Sequence, residues 1–153
     1  MNFILYFFLF VSVTSWSTDN ANNKWVDEYA TAHRIANEED KPLLVFFSGS
    51  DWCKPCIKLK KYIVDTGQFQ ALASEKFVLY NADFPINKKQ KKTTIRQNEA
   101  LAEKYNKEGL FPKIVIVSTK GNVLAEIGYI DCTPNEYFEM IKNKIENSNA
   151  VSN

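Results

Sequence analysis

Apolar and polar residues follow two spacings along the chain, and each spacing predicts one type of secondary structure. Apolar residues recur at helical intervals over 24–38, which predicts a first helix. Two continuous apolar runs, at 42–49 and 77–83, have the length and composition of strands that are buried on both faces. A short helix over 68–74 is expected between them.

Helical spacing also follows each of the two predicted strands. After the first strand, Cys56, Leu59 and Ile63 lie on one face of a helix, with lysines at positions between them. After the second strand, Leu101 and Tyr105 mark the apolar side of another helix. This alternation of strands and helices predicts parallel strands joined by crossover helices.

The last third of the chain predicts a hairpin and a final helix. Two apolar stretches, at 113–118 and 123–129, are separated by a "TKGN" turn, a spacing typical of antiparallel strands. The final helix has a clear beginning: Thr133 suits its cap, Pro134 suits its first position and Glu136 can complete a capping box.

Together these elements predict an α/β fold with a central mixed sheet of about four strands, flanked by about four helices. We expect a single domain over 18–153, with a lysine-rich loop at 84–97 and a frayed tail at 147–153. The loop is expected to be solvated. Docking of an acidic partner or an anionic membrane surface is the alternative.

Composition and charge favour a single globular domain and argue against some classes of protein. The chain has 153 residues, 45% of them hydrophobic, which is enough for one core of ordinary size. Nineteen basic and eighteen acidic residues leave a net charge of +1, so a nucleic-acid partner is not expected. Three cysteines, an odd number, argue against a scaffold that is held together by disulfides alone.

The apolar segment at the start of the chain predicts export. Residues 2–13 are almost wholly apolar, but they are too few for a membrane span, which takes about 20 residues. Ser15 and Ser17 are small residues that suit cleavage before Thr18. We therefore predict a signal peptide over 1–17, with an uncleaved anchor as the alternative. A periplasmic or secreted protein would occupy a compartment that permits disulfides.

The stretch "SDWCKPC" places two cysteines three positions apart, between a predicted strand and a predicted helix. Cys53 would lie at the helix N-terminus, where unpaired backbone N–H groups and the helix dipole stabilise a thiolate. Pro55 costs little in the first turn and stiffens the spacer between the two sulfurs. Cys56 would face inward one turn later. We therefore expect Cys53 to attack a disulfide and Cys56 to resolve the mixed disulfide that results.

A redox pair is favoured over a metal site and over an inert disulfide. A tetrahedral zinc or iron–sulfur site needs four ligands, and only Cys132 and His33 remain elsewhere in the chain. His33 is expected to take part in helix–sheet packing. Cys132 precedes a helix, which gives a reason for a lowered pKa, but it is expected to be a small, half-buried residue.

"WCKPC" after "LLVFF" resembles the active site of the thioredoxin superfamily, and "GLFPKIVIV" is similar to the segment that carries this family's cis-proline. The resemblance covers about residues 24–146 and is closest to secreted bacterial thioredoxin-like proteins. It implies a thioredoxin-like fold and a substrate groove formed by Trp52, Phe111, Pro112 and Gly128. The residues expected to support the active site are Trp52, Lys54, Pro55 and Pro112.

The motif departs from the family's usual pattern at two points. Lys54 stands where glycine is usual. A nearby cation stabilises a thiolate by about 0.3–1 kcal/mol. Because a change of about 1.4 kcal/mol corresponds to only 30 mV in a two-electron couple, Lys54 shifts the reduction potential too little to turn a reductant into an oxidant. Cytosolic thioredoxins also have a buried aspartate in the strand before the motif, where this chain has Phe46 and Phe47. Asp51, the nearest acid in sequence, is expected to be solvated or to act as a cap.

These observations predict an exported thiol–disulfide oxidoreductase, with reduction or isomerisation of protein disulfides favoured over oxidation. The expected partners are disulfide-containing client proteins and a membrane electron donor that keeps the cysteines reduced. The chain is expected to be a monomer that needs no cofactor besides its own cysteine pair. The alternatives are a binding module with a structural disulfide, and a dedicated reductase of cytochrome c apoproteins or a metal chaperone.

Overall fold

A five-stranded sheet between two layers of helices organises the protein, as seen in a computed structural model that describes residues 24–151. The elements in chain order are β1 (Trp25–Val26), α1 (Tyr29–Glu38), β2 (Leu43–Ser48), α2 (Lys54–Leu59) with a π-helical continuation (Lys60–Val64), α3 (Gly67–Lys76), β3 (Val78–Asp83), α4 (Lys92–Tyr105), β4 (Lys113–Val117), β5 (Val123–Ile127) and α5 (Pro134–Val151). The predicted α/β fold with a mixed sheet is confirmed.

The strand order brings three segments of the chain together at one end of the sheet. The order is β1-β3-β2-β4-β5, in which β1, β3 and β2 run parallel and β4 and β5 form an antiparallel hairpin. Ser48, at the end of β2, pairs with Asp83 at the end of β3. Phe47 pairs with Lys113, the first residue of β4. The turn after β2 therefore lies beside the end of β3 and the start of β4.

Each face of the sheet has its own apolar core, because side chains along β2 alternate between the faces. Leu44 and Phe46 face α2, α3 and α5, whereas Val45 and Phe47 face α1 and α4. Every residue of β2 is buried, as expected for a strand in the middle of the sheet. Burial on both faces explains why its sequence is a continuous apolar run rather than an alternating one.

The start of the fold differs from the prediction of one helix over 24–38. Trp25 and Val26 instead form β1, the fifth strand, and α1 begins only at Tyr29. Trp25 pairs with Leu79 of β3, and its ring packs 6.2 Å from that of Phe46. A two-residue strand has too few residues to show a periodicity, so only its tertiary contacts distinguish it from a helical turn.

The predicted loop over 84–97 is too long, because α4 already begins at Lys92. The buried side of this helix is partly polar: Asn98 accepts a hydrogen bond from the Tyr80 hydroxyl (2.7 Å) and donates one to the Asp83 carbonyl (2.9 Å). Polar burial of this kind leaves no apolar pattern in the sequence. At the other end of the chain, α5 continues to Val151, so a frayed tail from residue 147 is not observed over 147–151.

The predicted signal peptide over 1–17 lies outside the described residues. Within residues 24–151, no helix has the length and apolar character needed to cross a membrane.

The predicted capping box of the last helix is confirmed. The Glu136 carboxylate accepts hydrogen bonds from the Thr133 backbone N–H and hydroxyl (both 2.8 Å), and Thr133 Oγ1 accepts one from the Glu136 N–H (3.3 Å). We expect Thr133→Ala to lower the free energy of unfolding by about 1 kcal/mol, because the cap is lost. Urea denaturation measures this effect. Thr133→Ser keeps the cap and is the control, so equal stability of the two variants would contradict the assignment.

Candidate active site

The two cysteines of the motif are joined in a disulfide at the start of α2. Cys53 caps this helix, and its Sγ accepts a hydrogen bond from the Cys56 backbone N–H at 3.2 Å. Pro55 lies in the first helical turn, where its missing N–H costs nothing. Both cysteines are buried, with Cys53 3% and Cys56 1% exposed. The N–H group aimed at Cys53 would favour its thiolate in the reduced form.

Trp52 covers the turn that leads into this helix. Its indole Nε1 donates a hydrogen bond to the Phe84 carbonyl at 2.7 Å, while 43% of the residue remains exposed. The ring lies so close to Gly49 that an added Cβ there would be 2.5 Å from Nε1. Glycine at position 49 is therefore required for this placement of the indole.

The segment before β4 lies against Trp52. The Phe111–Pro112 peptide bond is cis, as the family resemblance implied. The Phe111 ring makes edge contacts with the rings of both Trp52 and Phe84, each at 5.5 Å between centroids. A Cβ added at Gly128 would lie 3.6 Å from the Pro112 carbonyl, so Gly128 borders the same segment. The structure thus brings together the residues that the sequence predicts for a substrate groove.

Asn106 shapes the loop that precedes Phe111, and sequence analysis does not identify it. Its side-chain amide donates to the Leu110 carbonyl (2.9 Å), and its Oδ1 accepts from the Leu110 N–H (3.0 Å). Asn106 is only 2% exposed, and Gly109 between the two has a left-handed conformation with φ of 63°. The one signal in the sequence is an asparagine three residues before a glycine, which is typical of turns.

Asp51 attaches the loop after β3 to the active-site turn. Its carboxylate accepts hydrogen bonds from the backbone N–H groups of Ile86 (2.9 Å), Asn87 (2.7 Å) and Lys88 (3.2 Å). The hydrogen bond from Ile86 is the largest cause that lowers the pKa of Asp51 below its usual value. Asp51 thus has the capping role that the sequence suggested.

Asp83 provides a second carboxylate at the same turn. Its Oδ1 accepts hydrogen bonds from the Ser50 N–H (2.9 Å) and the Ser48 hydroxyl (3.3 Å). Phe46 and Phe47, which lie in the strand before the motif where cytosolic thioredoxins have a buried aspartate, are packed in the core and fully buried. The acid at this end of the sheet therefore comes from the neighbouring strand, and only the parallel pairing of β2 with β3 brings it there.

A cavity of about 360 Å³ borders the second cysteine. It is lined by Ser48, Ser50, Cys56, Ile57, Lys60, Lys61, Asp65 and Lys88. Lys60 is paired with Asp65 at 2.7 Å, whereas neither Lys61 nor Lys88 forms a salt bridge with a described residue. Cys56 is thus almost inaccessible at the surface, yet it adjoins a cavity whose charged lining residues are three lysines and one aspartate.

The sequence also led to predictions for His33 and Cys132, of which only that for His33 is wrong. His33 is exposed on α1, 3.1 Å from the Asn37 amide, so its predicted role in helix–sheet packing is wrong. Cys132 is a half-buried free thiol, and burial raises its pKa, with a smaller contribution from the charges of Glu136 and Asp131. Burial, with a smaller effect of the two carboxylates, thus outweighs the helix terminus as an influence on the pKa of Cys132, and the prediction of a half-buried residue is confirmed. Among residues 24–151, no cluster of three or more His, Cys, Asp or Glu residues is placed to hold a metal.

A mixed sheet between helices, with a Cys-x-x-Cys disulfide at a helix N-terminus beside a cis-proline, defines a protein of the thioredoxin fold. The model of the Thioredoxin-like family matches residues 24–119, and the chain belongs to this family. The family resemblance read from the motifs is therefore confirmed.

Relatives and solved structures agree with this assignment. The chain is 33% identical over 109 residues to the disulfide bond reductase DsbH of Chlamydia pneumoniae, and the match covers 71% of the chain and 64% of that protein. It is 31% identical over 110 residues to the thioredoxin-related protein DsbJ of Chlamydia pneumoniae, covering 72% of the chain and 31% of that protein. The matches thus span less than two thirds of either relative. A solved DsbH oxidoreductase structure superposes with a TM-score of 0.75 and 28% identity, covering 87% of this chain and 92% of that one.

The hydrogen bonds to Asp51 predict a pH-dependent loop attachment. Because the pKa of Asp51 is lowered in the folded protein, these bonds stabilise the fold above its ordinary pKa and are lost as the pH falls through the folded value. We expect Asp51→Asn to reduce amide-exchange protection at Ile86, Asn87 and Lys88 at neutral pH, with wild type approaching the variant in acid. Asp131→Asn is a matched surface control. Equal protection in wild type and Asp51→Asn at neutral pH would refute the attachment.

The raised pKa of Cys132 predicts that its thiol is alkylated slowly. In the oxidised protein, we expect iodoacetamide to alkylate Cys132 more slowly at neutral pH than a cysteine in an unstructured peptide, because less of the thiol is ionised. The rate should rise with pH through a midpoint above that of the peptide. Mass spectrometry measures the extent of alkylation. Alkylation at neutral pH as fast as in the peptide would show that burial does not suppress the thiolate.

Proposed function

We propose that this protein is an exported thiol–disulfide oxidoreductase that reduces or isomerises disulfides in other proteins. The observation that carries the proposal is the hydrogen bond from the Cys56 N–H to Cys53 Sγ at a helix N-terminus, because this geometry favours a reactive thiolate. A relative that is 33% identical over 109 residues is a disulfide bond reductase, which supports the same class of reaction.

The reaction follows from the positions of the two sulfurs. The reduced Cys53 thiolate attacks one sulfur of a client disulfide, forms a mixed disulfide and releases the client's other sulfur as a thiolate, which takes up a proton. Cys56 then loses its proton and attacks Cys53 Sγ, which forms the Cys53–Cys56 disulfide and releases the second client thiol. Two electrons and two protons thereby pass to the client. The observed disulfide corresponds to the oxidised end of this cycle.

The surface beside the cysteines suits an extended client segment. We assign substrate contacts to Trp52, Phe111, Pro112 and Gly128, which adjoin one another at the start of β4. Phe111 and Pro112 directly precede β4, so a strand-like client segment that bound along this part of the chain would lie beside Trp52. Lys54 and Pro55 support the pair from the first turn of α2.

The cycle needs a dithiol donor, because each turnover leaves the protein oxidised. For a protein exported by a signal peptide over 1–17, a periplasmic or secreted location would make a membrane protein the source of these electrons. No cofactor besides the Cys53–Cys56 pair enters the steps above. We propose that the protein works as a monomer, since all of these steps use groups of one chain.

One observation favours a second candidate, a binding module whose disulfide is structural. Both cysteines are almost completely buried, at 3% and 1% exposure, and such burial would slow exchange with a client. The reduction potential distinguishes the two functions. A couple well below about −300 mV would indicate a structural disulfide, whereas a potential close to that of glutathione would indicate a working redox pair.

The proposed roles predict different defects for the two cysteines. We expect Cys53→Ser and Cys56→Ser each to reduce the rate of insulin disulfide reduction, with dithiothreitol as donor, to the uncatalysed rate. Only Cys56→Ser should accumulate a mixed disulfide with insulin, because Cys53 attacks first and Cys56 resolves. Gel electrophoresis without reductant detects this species.

Cys132→Ser is the matched control for these variants, since it removes a thiol outside the disulfide. Wild-type activity no higher than that of Cys53→Ser would overturn the proposed function. A mixed disulfide trapped by Cys53→Ser instead of Cys56→Ser would reverse the two roles.

A further inference from the structure

Charge is divided very unevenly between the active-site region and the rest of the chain. Residues 50–65 and 84–97 together contain nine lysine and arginine residues and two aspartates, for a net charge of +7. The remainder contains ten basic and sixteen acidic residues, for a net charge of −6. The overall charge of +1 therefore conceals a strong excess of positive charge in these two segments.

The two positive segments meet at the cysteine pair. They are joined by the hydrogen bonds from the 86–88 backbone to Asp51 and by the bond from Trp52 Nε1 to the Phe84 carbonyl. Both aspartates of these segments are already engaged: Asp51 with the loop backbone and Asp65 with Lys60. Outside the two segments, Asp83 adds a carboxylate at the same turn and Glu28 lies 4.0 Å from Lys91. These four carboxylates only partly neutralise the nine basic residues.

The nearest cations flank an exposed apolar surface. Lys61 and Lys88 both line the cavity beside Cys56, and both are exposed. Ile86 is 73% exposed, and Trp52 and Ile57 are each 43% exposed. Apolar side chains surrounded by charged ones are typical of a surface that binds another protein. Here the apolar part belongs to the active-site turn, the helix that carries Cys56 and the loop attached to them.

We propose that this cationic surface, formed by segments 50–65 and 84–97, selects client proteins whose reactive disulfide is flanked by acidic residues. The inference rests on the proposed function and specifies its substrate class. Acidic groups on the client would meet Lys61 and Lys88 while its disulfide approaches Cys53. Complementary charge of this kind speeds the encounter and orients the partners more than it increases the final affinity.

A protein segment fits this surface better than an anionic membrane. The cations adjoin Cys56, the disulfide partner of the cysteine that must contact a client sulfur, so the charged surface lies beside the client whenever a mixed disulfide forms on Cys53. Adsorption of the same surface onto lipid headgroups would cover the cysteine pair during its own reaction. Membrane binding is therefore an outcome that opposes the proposal.

Three model peptides test the selection. They share one disulfide ring and differ only in flanking residues, which are glutamate, serine or lysine. Pre-reduced protein is mixed with each peptide, and the second-order rate constant of peptide reduction is measured by stopped flow. We expect the acidic peptide to react about tenfold or more faster than the neutral one at low ionic strength, and the basic peptide to react more slowly. The preference should nearly disappear at an ionic strength of about 0.5 M.

Paired variants locate the effect. Lys61→Gln/Lys88→Gln removes two charges beside the cysteines, and Lys76→Gln/Lys120→Gln removes two exposed charges at the opposite end of the sheet. We expect the first pair to lower the acidic-to-neutral rate ratio about threefold or more and the control pair to change it much less. The rate at which each variant reduces hydroxyethyl disulfide, which is small and uncharged, measures the intrinsic reactivity of Cys53. Each peptide rate is divided by this rate.

The outcomes separate the two proposals. If all three peptides are reduced at equal rates, or if both double variants lower the ratio equally, charge selection is refuted and the proposed function stands. If no peptide is reduced, the proposed function fails, and the inference that rests on it fails too. Sedimentation with vesicles of equal parts phosphatidylglycerol and phosphatidylcholine, lost in Lys61→Gln/Lys88→Gln and combined with equal peptide rates, would assign the surface to membrane binding instead.

Discussion

The position of β2 in the middle of the sheet is the constraint on which the active site depends. All six of its residues are buried, and it pairs with β3 on one side and β4 on the other. Because its neighbours run in opposite directions, the end of β3 and the start of β4 both lie beside the turn that follows Ser48. Three separate parts of the sequence thereby reach the cysteine pair.

Hydrogen bonds to main-chain groups then hold these parts together. Asp51 binds three N–H groups of the loop after β3, Trp52 binds the Phe84 carbonyl, and Asn106 closes the loop before Phe111. These partners are backbone groups, so the identity of the loop side chains is free to vary. The loop therefore stays attached through its backbone, while its lysines and Ile86 remain exposed at the surface.

The chemistry and the electrostatics of the site have different origins. The reactivity expected of Cys53 comes from a local feature, the N–H groups at the start of α2. The positive surface is a collective feature, because its charges come from α2 and its continuation, from the loop after β3 and from the first turn of α4. Lys54 alone is too weak to set the direction of electron flow, but several lysines together can influence which partner approaches.

Local patterns in the sequence determine much of this protein. A few neighbouring residues suffice to predict the buried strands, the capping box at Thr133, the Cys-x-x-Cys pair and the Phe111–Pro112 segment. Each of these features depends on short-range effects: periodicity, capping or the conformation of proline. The tertiary structure alone decided the pairing of Trp25 with Leu79, the burial of Asn98, the exposure of His33 and the approach of Asp83 to Ser50. These features depend on contacts between residues distant in sequence or on packing around a whole helix. The spacing of neighbouring residues does not predict such contacts. "SDWCKPC" thus determined the type of chemistry, and the fold decided which charges and surfaces surround it.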